Sequence, residues 1–160
     1  MEFKVPELPA RATREELLGR WIRVESVRFG IYRRATKRRG EPSRFDNESY
    51  LELIGDADEP LGAVRRFSVQ VNIEDAKEPG ASVPPATGAF VQLKPEPMAV
   101  VSLDRMSFDR LWALASVNLL RYCRLAFTRP HRGSSLIVSA SFSDRPEQDS
   151  DISFGKNSAV

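Results

Sequence analysis

Apolar and polar side chains alternate along most of this chain. Between Trp21 and Tyr32, Val27, Phe29 and Ile31 alternate with Arg28, Gly30 and Tyr32, the period of two expected of a half-buried strand. Ile22 and Val24 hold the opposite parity, so one extra residue near Glu25 and Ser26, a β-bulge, is predicted. Further strands are predicted over 50–54, 64–73, 89–94, 98–103, 120–128 and 135–143. Within 64–73, Phe67, Val69, Val71 and Ile73 share one face and Arg66, Ser68, Gln70 and Asn72 the other, as in a sheet with one wet face. Cys123, Leu125 and Phe127, and then Leu136, Val138, Ala140 and Phe142, repeat that alternation near the C-terminus.

One stretch departs from it. Phe108, Leu111, Trp112, Ala115 and Leu119 recur at helical spacing, which predicts a helix over about 104–117. Ser107 is its expected N-cap, with Met106 stapled to Leu111. Thr13 followed by Glu16 fits a capping box and predicts a short N-terminal helix that Gly19 ends. The expected fold is therefore mainly β, a β-rich α+β arrangement. It is an antiparallel sandwich or partly open barrel of about seven strands, with one packed helix and a short N-terminal one. Its expected layout is an N-terminal arm (1–12), a single domain (13–143) and a polar tail (144–160). A connection over 74–88, rich in proline and glycine, is long enough to be functional or irregular.

Composition narrows the class. The chain has 160 residues, 41% of them hydrophobic, with one cysteine and one histidine, so an internal disulfide framework is excluded. No run approaches the roughly 20 apolar residues of a membrane-spanning helix. The opening Met-Glu-Phe-Lys-Val-Pro lacks the apolar core of a signal peptide. A cytoplasmic protein with no membrane association is expected, and the Asn47-Glu-Ser49 sequon is then incidental.

Histidine- and thiol-based catalysis needs a partnered nucleophile. His131 falls in a predicted turn and Cys123 on an apolar strand face, so neither suggests a catalytic residue. One cysteine and one histidine make no nitrogen–sulfur zinc site, and the glycine-rich nucleotide cradles are missing. No catalytic residue, metal ligand or cofactor is assigned. Asp56, Asp58 and Glu59 are read as a solvated turn, and Glu48 and Glu52 keep a carboxylate enzyme acting on a sugar or phosphoester as a third reading.

Charge supplies the positive signal. A net +2 conceals eleven basic against four acidic residues over 11–44, and four against ten over 45–100. Arg33, Arg34, Lys37, Arg38, Arg39 and Arg44 crowd one predicted inter-strand loop, and guanidinium forks suit phosphate. Tyr32, Phe45 and Tyr50 flank the run as candidate stacking faces. Arg129 and Arg132, on a second predicted hairpin, extend the candidate polyanion site. The leading expectation is a non-enzymatic binding or adaptor domain for a polyanion, nucleic acid foremost. The alternative is a protein-interaction or homo-oligomeric assembly subunit that pairs the basic and acidic blocks.

Overall fold

The computed structural model describes residues 17–74 and 86–146. Seven strands and one helix follow one another: β1 (Leu17–Thr36), β2 (Arg44–Leu61), β3 (Val64–Ile73), β4 (Gly88–Gln92), β5 (Met98–Leu103), α1 (Arg105–Ser116), β6 (Tyr122–Thr128) and β7 (Ser135–Ser143). The strands form one sheet in the order β1-β2-β3-β5-β4-β7-β6, and β1 also pairs with β6, so the ring closes. Only β3 and β5 run parallel. The fold is mainly β with one helix, and the closed strand order makes it an irregular barrel.

The pairing is strongly staggered. Followed around the ring, Phe29 leads to Leu51, Val71, Val101, Gly88, Ile137 and Phe127, and the circuit returns to Leu18 instead of Phe29. Strands tilted in a barrel require such an offset. In consequence β1 meets β6 only over Leu17 to Arg23, while it stays paired with β2 as far as Thr36. β2 in turn meets β3 only from Tyr50 onward. Beyond Gly30, therefore, β1 and β2 have only each other among the described residues: a two-stranded arm leaves the barrel.

The predicted bulge is present, with the register of β1 and β2 shifting between Val24 and Ser26. It carries the inward parity from Ile22 over to Val27. Arg66 holds the bulged turn from outside, bonded to Glu25 and, at 3.4 Å, to Asp56. Inward side chains fill the barrel, with Leu51, Leu53, Val69, Val71, Val101, Leu125, Phe127 and Ile137 fully buried. Phe90 stands edge-on to Phe127 at 4.9 Å and to Phe67 at 6.1 Å. Near the other mouth Arg20 donates to the carbonyls of Gly19 and Pro60.

The helix lies over the end of the barrel from which the arm emerges. It packs on β3 and β5 through Phe108, Leu111 and Ala115, and Trp112 reaches Phe29 at 4.8 Å, edge to face. Its N-cap is Asp104, whose carboxylate accepts from the Ser107 amide, so the predicted cap at Ser107 is corrected by three residues. Met106 lies within the helix and is 63% exposed, which removes the predicted staple. No helix among the described residues is long and apolar enough to cross a membrane.

The predicted N-terminal helix needs correction where it can be seen. Thr13–Glu16 lie outside the described residues, but Leu17, Leu18 and Gly19 are strand, paired with Thr128, Phe127 and Ala126. A ladder partner overrides the local stop signal of a glycine. The proposed arm (1–12), most of the 74–88 connection and residues 147–160 of the proposed tail also lie outside the described residues.

Candidate functional site

The arm carries the basic run. Arg33 and Arg34 stand on its β1 strand and Arg44 opens β2, while Lys37, Arg38 and Arg39 occupy the connection. Gly40 takes a positive φ of 82° at the tip, and the Glu41 amide closes the turn onto the Arg38 carbonyl at 3.0 Å. All six basic side chains are exposed. None of them forms an ion pair with the side chains that the structure describes.

The acidic block does not neutralise them. Glu52 pairs with Arg28, Asp56 with Arg66 and Glu59 with Arg20. Asp58 accepts from the amides of Trp21 and Glu59. Glu48 accepts from the Tyr32 hydroxyl. Glu52, Asp56 and Glu59 are thus engaged along the barrel wall, and none of them reaches the arm's basic side chains. Glu48 and Glu52, the acids of the third reading, each have a separate partner on the outer face of β2.

The two faces of the arm differ. Leu51 and Leu53 point into the core, so Phe45 and Asn47 share their face on β2, with Phe29, Ile31 and Arg33 opposite. Ile31 is 71% exposed, Phe45 58% and Phe29 45%. The Arg33 guanidinium lies 4.2 Å above the Phe45 ring. The other face carries Tyr32, Arg34, Glu48 and Tyr50, with Arg34 5.9 Å from the Tyr32 ring and the two tyrosine rings 6.1 Å apart.

The predicted stacking residues are thereby separated. Tyr50 lies over Gly30, where a side chain's Cβ would fall 2.0 Å from its ring, an aromatic laid across a glycine in the neighbouring strand. Tyr32 is tethered to Glu48, and Phe45 sits on the opposite face under Arg33. They form no common platform. Ile31 and Asn47, which the sequence reading left out, share the acid-free face with Arg33. Their parity with Leu51 was the available signal.

Arg129 and Arg132 lie elsewhere. The β6–β7 turn follows Thr128, which pairs with Leu17 at the start of β1, whereas the basic tip follows Thr36 at its end. At about 3.3 Å per residue the strand between them runs roughly 60 Å. The two hairpins stand at opposite ends of β1, so Arg129 and Arg132 are a separate second contact and not part of the basic arm. His131 is exposed in that turn and exchanges backbone hydrogen bonds with Ser134. Cys123 is fully buried, and burial pushes its thiol far above the usual range, as expected of a packing residue.

No family model, curated protein or solved structure matches this chain.

Proposed function

We propose that this protein is a non-enzymatic binding domain that engages a polyanion, nucleic acid foremost, through the β1–β2 arm. The observation that carries the reading is the concentration of charge: six exposed basic side chains on a projecting ribbon, while Glu52, Asp56 and Glu59 are engaged along the barrel wall. Lys37, Arg38 and Arg39 are the central phosphate contacts, with Arg34 and Arg44 beside them and Arg33 completing the basic run. A cytoplasmic setting and the absence of membrane contact go with this reading.

The test is binding of a fluorescent oligonucleotide across a salt series. Each phosphate neutralised adds close to one unit to the slope of log affinity against log salt. Replacing Lys37, Arg38 and Arg39 together by Ala is expected to weaken binding about tenfold to a thousandfold at low salt and to lower the slope by two to three. Unchanged affinity and slope would remove the arm from the reaction.

A second reading rests on a different observation. From Ser26 to Thr36, β1 has no strand partner on its outer side among the described residues, and Phe29 and Ile31 stand exposed there. An open edge of that length invites pairing with another chain, so a protein partner or a second copy is the alternative occupant. Pairing of basic with acidic blocks between chains has less support, because Glu48, Glu52, Asp56, Asp58 and Glu59 already have intramolecular partners.

A further inference from the structure

Resting on the polyanion reading, we infer that the preferred partner is B-form duplex DNA, entered through its major groove by the β1–β2 arm. The face bearing Ile31, Arg33, Phe45 and Asn47 is turned to the base edges.

Three observations converge. First, the arm is a ribbon of two strands and no more: past Gly30 neither β1 nor β2 has a further neighbour among the described residues. Two paired strands fit a groove about 12 Å wide, a recognised way of reading DNA. The undistorted minor groove is about half as wide and takes strands only when the duplex is bent open, and the deep, narrow major groove of an RNA duplex is closed to side chains.

Second, the arm's two faces suit opposite surroundings. Arg33 and Asn47 are directly paired across the strands, and these are side-chain types that read guanine and adenine by twin hydrogen bonds. Ile31 and Phe45 beside them offer apolar contact to a thymine methyl. The rear face carries Glu48, bonded to Tyr32, which would be repelled by phosphate and is better left to solvent. Arg33 over Phe45 is held in place before any ligand arrives, and stacking leaves the guanidinium edge free to donate.

Third, the arm is poorly made for single strands. Bases need open aromatic faces in series, yet Tyr50 covers Gly30, Tyr32 is tethered, and Phe45 lies on the other face with Arg33 above it. Lys37, Arg38 and Arg39 at the tip, with Arg34 and Arg44 behind, remain to meet phosphates along the groove walls.

The experiment titrates the whole protein against three labelled probes of equal length: duplex DNA, one of its single strands and the matching RNA duplex. Duplex DNA is expected to bind at least about tenfold tighter than either, and a major-groove ligand to displace it. Asn47→Ala should reduce discrimination among duplexes of different sequence about fivefold or more, leaving the salt slope unchanged. Arg33→Ala should do the same and lower the slope by at most one. Thermal unfolding of both variants, each altered at an exposed position, confirms that the barrel is intact. Equal or tighter binding of the single strand or the RNA overturns the inference while the polyanion reading stands. So does displacement by a minor-groove ligand alone, or undiminished discrimination in both variants. Failure of all three probes to bind at low salt overturns both.

Discussion

Gly55 shows how tightly one position can be bound to the architecture. It faces Val24 beside the bulge, and a Cβ added there would fall 2.0 Å from the Arg23 carbonyl oxygen. The obstacle is backbone, so β1 itself would have to move. Gly55→Ala is expected to destabilise the barrel by about 3 kcal/mol, measured as a fall in the denaturation midpoint at unchanged slope. A loss under about 0.5 kcal/mol would mean that the strands are not so close. Gly30 differs, because its obstacle is the far end of the Tyr50 side chain, which can swing aside. Both glycines stand inside strands, but nothing in the pattern tells a glycine under an aromatic ring from one beside a carbonyl. That distinction depends on which strand lies opposite.

The helix is the element whose interior could be read most directly. Phe108, Leu111 and Ala115 are all buried, because a period of 3.6 stands out where its neighbours have a period of two. Its ends were less legible. Asp104 and Ser107 are both good capping residues, and only backbone geometry shows that Asp104 is extended, with φ −61° and ψ 157°, and caps the turn. At the other end Asn118 adopts a positive φ of 59°, and Leu119 and Asn118 donate back to Leu114 and Ala115, a Schellman closure with asparagine in glycine's usual place. Hydrogen bonding from Ser107, side chain first and amide with it, holds the Asp104 carboxyl below its usual range. The folded form therefore has the lower pKa. Its stabilisation is complete above the ordinary aspartate value and disappears as pH falls through the lowered one. Asp104→Ala should lower the melting temperature at pH 7, and that deficit should shrink as the pH is taken well below the ordinary aspartate value. A deficit equal at both values would assign the effect to packing instead of the cap.

Across the molecule, the seven strands, the bulge and the solitary helix followed from periodicity, because burial on one side imposes parity on every strand. Barrel closure did not, since pairing between β1 and β6 leaves no local mark. The same gap hid how far the Arg129–Arg132 turn stands from the basic arm. Charge segregation was visible in the chain, but its resolution was not: Glu52, Asp56 and Glu59 are engaged on the barrel by Arg28, Arg66 and Arg20. The two functional readings also diverge at this level. A domain that meets nucleic acid through its arm should sediment as an 18.0 kDa monomer at low and high salt alike. A concentration-dependent dimer that Ile31→Lys abolishes would instead favour occupation of the open β1 edge.

The seam at Leu17 and Thr128 has a further consequence, for the order of events during synthesis. Nearly the whole described chain separates the two strands that complete the ring. β1, β2 and β3 can pair as consecutive hairpins while still emerging from the ribosome, yet their inward side chains must wait for β6 before the ring shuts around them. Bringing such distant segments together carries the entropy of closing a long loop. Until then the first three strands present a half-formed apolar trough, and in that interval the chain is most exposed to wrong partners.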